Sequence, residues 1–198
     1  MENRQFLHND IYNDLISPDN LFDCWREFRR GKRLKPEVMR FERRLEDNIF
    51  LLHRELKNKF YRHGAYTNFQ IYDPKHRIIS KAAVRDRLVH HAVFNELYKI
   101  FNASFIYHSY SSRLEKGTHL AVRSLRQALR AESRNYTGRV FALKCDIKKF
   151  LASVSHGKLL QLIENKTKDS QFLWLVKEIV GSFSLAVDNR EQRERERA

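Results

Sequence analysis

The feature that most constrains this chain is a run of apolar residues at Val38, Phe41, Leu45, Ile49, Leu52, Leu56 and Phe60. The steps alternate between three and four, the spacing of one face of a long α-helix. Pro36 stands where a first-turn proline belongs, and Gly64 sits where the helix would close. Arg40, Arg43, Arg44, Arg54, Lys57 and Lys59 fall on the other faces. Such a helix must bury its apolar stripe against further elements. With three prolines and six glycines in 198 residues, the chain has few breakers and reads as rich in helix. Its 42% hydrophobic content suits a folded domain.

The remaining pattern fills in the elements. Ser17-Pro18-Asp19 starts an earlier helix and Gly31 stops it. Tyr66–Tyr72 and Arg77–Ser80 read as two strands around an Asp73-Pro74 turn, a β-hairpin with basic residues near its tip. A helix over Ala83–Phe101 follows, then loop or extended chain over 102–116. Gly117-Thr118 opens a helix whose seam is Ala121, Leu125 and Leu129, and Ser133–Gly138 is a loop. Arg139–Ile147 has the length and apolar content of a buried strand. Ser155 caps a helix over His156–Asn165, and another spans Asp169–Val180. The tail from Asp188 alternates in sign and lacks core residues, a frayed end or a solvated helical extension.

The formal net charge is +14. The tail holds four arginines against four acids and sums to zero, so all of the excess lies on residues 1–187. That balance points to a polyanionic partner, nucleic acid first and an anionic membrane surface second, against a basic surface kept for solubility. Cys24 and Cys145 are too few for a disulfide framework, and no Cys-x-x-Cys pair exists for zinc. The N-terminus lacks the apolar core of a signal peptide, and apolar runs such as Ile49–Leu52 and Phe172–Val176 are too short to span a bilayer. A reducing cytoplasm is the expected compartment.

The stretch Ala142–His156 is the most informative for chemistry. An acid at the end of an apolar strand, followed by a turn and a capped helix, is a common metal position in nucleotidyl transfer. Mg²⁺ takes one or two carboxylates and completes its shell with phosphate oxygens and water. Taken alone, a strand-end acid such as Asp146 is more often structural. Lys75 and Arg77 on the hairpin are either a solvated tip or a phosphate grip. Asp86 and Arg87 build an ion-pair network with Arg85, or contact nucleic acid. Arg113 and Lys116 precede a helix, a good place to meet a phosphate. Tyr107 and Tyr110 stack on a base or pack beneath the surface. His90 and His91, adjacent on a helix, cannot form one metal face, and Cys145 reads as a small buried hydrophobe.

Several blocks, taken in order, resemble a known family. They are Arg77-Ile78-Ile79, Arg85-Asp86-Arg87-Leu88-Val89-His90-His91, Phe105-Ile106 with Ser109-Tyr110, then Arg113 and Lys116-Gly117-Thr118-His119 with Ala121, and finally Asp146-Ile147-Lys148-Lys149-Phe150. Over about 66–183 the chain resembles the fingers and first palm motif of bacterial retroelement reverse transcriptases, of the retron, group II intron and diversity-generating types. The resemblance implies an α+β fold: helix-rich fingers with a β-hairpin, leading into the first strand and helices of an incomplete right-hand polymerase palm. The implied division is an N-terminal helical arm (1–64), fingers (65–138), the start of the palm (139–187) and a disordered charged tail (188–198). By that resemblance Asp146 is the first catalytic carboxylate, and the backbone carbonyl of Ile147 a further ligand, for two Mg²⁺ ions about 4 Å apart. Lys75 and Arg77 grip the incoming triphosphate, Arg113, Lys116 and Tyr110 meet nucleic acid, and Leu151 lies beside the nucleotide sugar. The partners implied are an RNA template, a DNA primer and deoxynucleoside triphosphates.

Three departures qualify the resemblance. Leu151 stands where the family usually has an aromatic residue, so discrimination against ribonucleotides is expected to weaken. Ser155 replaces the more usual Asp before His156, another good cap. After Phe183 the family continues with a glycine-containing loop and a Tyr-x-Asp-Asp hairpin, and no Asp-Asp pair occurs in this sequence. The expectation is therefore a polymerase fragment that is inactive unless a separate chain supplies the missing half. The alternatives are a non-catalytic RNA-binding fragment, and a decaying gene product whose incomplete sheet folds poorly.

Overall fold

The structure, a computed structural model, describes residues 11–73, 75–147 and 150–195, with only the backbone for 151–152 and 184–195. It is helix-rich, with one small antiparallel sheet among the described residues, an α+β arrangement. The chain divides into two compact units. Tyr98–Val154 forms one, and the described residues on either side of it form the other.

The larger unit begins with α1 (Ile11–Ile16) and α2 (Pro18–Phe28). The α2 start is as the sequence predicts. Pro18 occupies the first turn, and the Ser17 hydroxyl accepts from the Asn20 amide at 3.3 Å. The single long helix expected over 38–60 is instead two, α3 (Pro36–Glu42) and α4 (Leu45–Lys57). The break falls at Arg44, whose φ of −129° and ψ of 44° are not helical, and the Phe41 carbonyl accepts from the Asn48 side-chain amide at 2.9 Å as well as from the Arg44 amide at 3.3 Å. Periodicity alone cannot register a break that keeps the apolar residues on one side. Val38, Ile49, Leu52 and Leu56 are all fully buried.

Phe60, the last residue of the expected stripe, is exposed, and Tyr61 is buried in its place. The helix ends before Phe60, at Lys59 rather than Gly64. Lys59 has φ +60°, the Phe60 amide reaches the Glu55 carbonyl and the Lys59 amide the Leu56 carbonyl. This is a Schellman closure with lysine where glycine usually stands. The Lys59 ammonium lies 3.4 Å from the Tyr12 ring centroid and 4.7 Å from that of Trp174, contacts that offset the left-handed backbone.

The hairpin follows as β1 (Thr67–Ile71) and β2 (Arg77–Lys81), with Thr67 opposite Lys81 and Ile71 opposite Arg77. Helix α5 (Val84–Phe101) then buries Val84, Leu88, Val89, Ala92 and Val93. After the second unit the chain returns as α8 (His156–Glu164) and α9 (Ser170–Arg195); the elements between are α6 (Thr118–Glu132) and α7 (Phe150–Ser153). Ser155 caps α8 as expected, its hydroxyl accepting from the Lys158 amide at 3.4 Å. Helix α9 packs on α1 through one carboxylate, which caps both helices. Asp169 accepts from the Gln171 and Phe172 amides at 2.9 and 3.0 Å and from the Tyr12 amide at 2.8 Å. Leu15 of α1, Leu21 and Trp25 of α2, and Phe172 and Leu175 of α9 are buried in the core of this unit.

The Tyr98–Val154 unit is built differently. Among its described residues no apolar side chain is buried; only Ser133 is. The buried strand expected over Arg139–Ile147 does not form. The segment is irregular, with Phe141 and Leu143 about nine-tenths exposed. A strand needs a neighbour for its backbone groups, and no described strand lies alongside it. Cys145 is accordingly exposed, not the buried hydrophobe its neighbours suggest. The seam expected on α6 is likewise uncovered: Leu125 is exposed and no residue of that helix is buried.

Candidate nucleic-acid interface

The predicted site residues fall in three places. The first is the hairpin end, where Lys75 and Arg77 are both exposed and make no ion pair among the described residues. Pro74 of the expected turn lies outside the described residues. Beside them Tyr72 and His76 stack at 4.9 Å, and the Tyr72 hydroxyl donates to the Gln70 side-chain carbonyl.

The second place is the loop between α5 and α6, which gathers Arg113, Lys116 and Tyr110. Arg113 is the hub. Its Nε donates to Asn102 Oδ1 at 2.9 Å. One terminal nitrogen donates to the carbonyls of Ile106 and Ser109 and the other to the Asn102 carbonyl, each at 3.2 Å. The guanidinium also lies 5.5 Å from the Phe105 ring centroid. An arginine fork spent on loop oxygens shapes the loop rather than waiting for a phosphate. Lys116 donates to the Tyr107 carbonyl at 2.9 Å, and its ammonium sits 3.9 Å from the Tyr107 ring centroid and 5.3 Å from that of Tyr110. Tyr110 is half-buried, with its hydroxyl 2.9 Å from His108 Nδ1, whereas the Tyr107 ring is two-thirds exposed. Gly117 closes the loop with φ 105° and ψ −178°, a conformation open in practice only to glycine.

The third place is the Asp146 segment. Asp146 and Ile147 are exposed on irregular backbone. Leu151 lies in α7, and its side chain, like Lys148 and Lys149, falls outside the described part. Among the described residues no three His, Cys, Asp or Glu side chains come together as a metal-holding group. A two-ion Mg²⁺ centre at Asp146 would need carboxylates beyond these.

The arginines flanking Asp86 take the structural alternative. Asp86, on α5, is buried against the turn between α4 and β1, where its carboxylate accepts from the Tyr61 hydroxyl at 2.9 Å and the Gly64 amide at 3.1 Å. Burial, followed by the Asp86 charge, pushes the Tyr61 hydroxyl well above the ordinary phenol range. Arg85 pairs with Asp86 and Glu55 and lies over the Tyr61 ring. Arg87 pairs with Glu37 at 3.5 Å, and Glu37 also holds Lys81 at 2.5 Å. The Lys81 hydrogen bond, above all, holds the Glu37 carboxyl down at about 2.

His90 meets His63 across the same unit, with Nε2 to Nε2 at 3.0 Å and the rings stacked at 5.0 Å. His91 instead faces Glu27 at 3.0 Å. Sequence patterning missed His63, Tyr61 and Asp169 as partners, because nothing local marks contacts that span 25 to 157 residues.

No helix among the described residues is long and apolar enough to cross a membrane. The chain matches no protein-family model and no curated protein.

Proposed function

We propose that the chain binds RNA, as the template-gripping part of a reverse-transcriptase-type polymerase. The observation that carries the reading is a division among the cations. Arg29, Arg85 and Arg113 are committed to internal acceptors, while Lys75 and Arg77 on the hairpin and Arg123 and Arg126 on α6 project outward with no carboxylate partner among the described residues. With a net charge of +14, these free cations offer a polyanion a gain that internal pairing does not already consume. The exposed Tyr107 ring beside Lys116 supplies a stacking face for an unpaired base.

The polymerase part of the proposal rests on the ordered blocks from Arg77 to Phe150. In that reading the exposed apolar segment Val140–Ile147 is a palm strand awaiting its neighbours. Asp146 at its end would be one carboxylate of a nucleotidyl-transfer centre whose others lie on a separate segment or chain. The 198 residues by themselves are expected to bind without catalysing.

The test is fluorescence anisotropy with a labelled single-stranded RNA. Wild type and Asp146→Ala are expected to bind alike, and the double change Lys75→Ala with Arg77→Ala to bind about tenfold more weakly. Equal binding by the double variant would remove the hairpin from the interface. A loss confined to Asp146→Ala would point to a metal-dependent mode instead.

A further inference from the structure

An open pocket of about 570 Å³ lies where α3, the base of the hairpin and the start of α5 meet. None of the residues that resemble the polymerase's nucleotide grip lines it. Its wall carries four cations, Arg40, Lys81, Arg85 and Arg87, against one carboxylate, Glu37. Arg85 is neutralised by Glu55 and Asp86, neither of which lines the pocket. That leaves Arg40, Lys81 and Arg87 sharing Glu37. Lys81 and Arg87 both reach it, and Arg40 is exposed with no acidic partner among the described residues.

The backbone adds donors of its own. Helix α5 begins at Val84, and its first-turn N–H groups have no intrahelical acceptor. Ala83, which precedes it, has no side chain that could cap them. Thr67 places a hydroxyl on the same wall. The Nε and Nη2 of Arg87 are buried, with Glu37 3.5 Å from Nη2, so Arg87 adds charge to the wall while the accessible donors are those of Arg40, Thr67 and the α5 start. The pocket thus presents surplus positive charge and unused donors beside one overcommitted carboxylate, which suits a tetrahedral oxyanion.

We propose that this pocket is a phosphate-binding site, taking either a backbone phosphate of RNA or a free pyrophosphate group. Only the first source rests on the RNA-binding reading. The site itself requires no nucleic acid.

The experiment uses the full chain labelled with ¹⁵N and two probes, pyrophosphate and a single-stranded RNA, on wild type and Arg40→Glu. Arg40 is exposed and unpaired, so the variant should fold, and Arg40→Ala serves as a milder second variant. Pyrophosphate is expected to shift the amides of Thr67 and Ala82 through Arg85, and both variants to reduce the response. RNA is expected to shift the same amides and to bind Arg40→Glu about five- to tenfold more weakly, with a salt slope shallower by about 0.7 for each phosphate no longer held. If pyrophosphate moves none of these amides, the site is overturned even where RNA binds elsewhere. If pyrophosphate binds but RNA neither shifts them nor weakens with Arg40→Glu, the backbone source is overturned and the free anion stands. If RNA does not bind the wild type at all, the RNA-binding reading fails, and the pyrophosphate result alone decides the pocket.

Discussion

Acid should loosen the larger unit through His63 and His90. His63 Nδ1 lies 2.7 Å from the Gly64 carbonyl, which can only accept, so Nδ1 carries the proton. His63 Nε2 is then a lone pair and must accept from His90 Nε2–H across 3.0 Å. A second proton on the pair would set two N–H groups against each other. Burial, and after it the neighbouring His63, lowers His90 from 6.5 to about 4; Asp86 opposes the shift and Arg87 adds to it. The folded value lies below the unfolded one. The neutral pair therefore contributes its full stability above about pH 6.5, and loses it as pH falls toward 4. At pH 5 the two values imply a loss of about 2 kcal/mol. The ring keeps some solvent contact, so about 1–2 kcal/mol is expected. Urea denaturation followed by circular dichroism at pH 7.5 and pH 5.0 measures it, with His90→Gln as a variant that keeps a donor and does not titrate. Wild type should lose about 1–2 kcal/mol more than His90→Gln between the two pH values. Parallel losses would refute the reasoning.

Other consequences follow from the same contacts. Gly64→Ala would bring a Cβ to 3.0 Å from Asp86 Oδ2 and disturb the bond that carboxylate takes from the Gly64 amide, a cost of about 1–3 kcal/mol in chemical denaturation. Asp169→Ala would strip three backbone amides of their acceptor at two helix starts, and should cost about 2–4 kcal/mol by the same assay. Arg113→Ala would free four loop acceptors. It should speed proteolytic cleavage within 102–117 and leave the thermal transition of the larger unit within a degree or two, by limited proteolysis and calorimetry.

Local chemistry is enough to place most elements. Ser17 with Pro18, Pro36, the Tyr66–Ser80 hairpin and Ser155 all stand as the sequence indicates, because caps and turns depend on side chains a few residues away. Arg139–Ile147 behaves otherwise. Its β-forming residues express that preference only against a neighbouring strand, and alone they remain irregular. The helix break at Arg44 leaves no trace in the apolar pattern because α3 and α4 keep one shared apolar face. At the candidate interface the residue types are legible but their commitments are not. Arg113 reads as a phosphate ligand and is spent on its own loop, whereas Arg40, unremarkable in sequence, stands unpaired at a basic pocket. Those differences arise from which carboxylates and carbonyls the fold brings within reach.

Whether the free cations bind RNA is tested most directly by the salt dependence of that binding. Single-stranded RNA affinity of the wild-type chain should fall steeply and linearly on a log–log plot against salt, with a slope of about −2 to −4, corresponding to several phosphate contacts. A flat dependence, or no RNA binding at low salt, would contradict the claim.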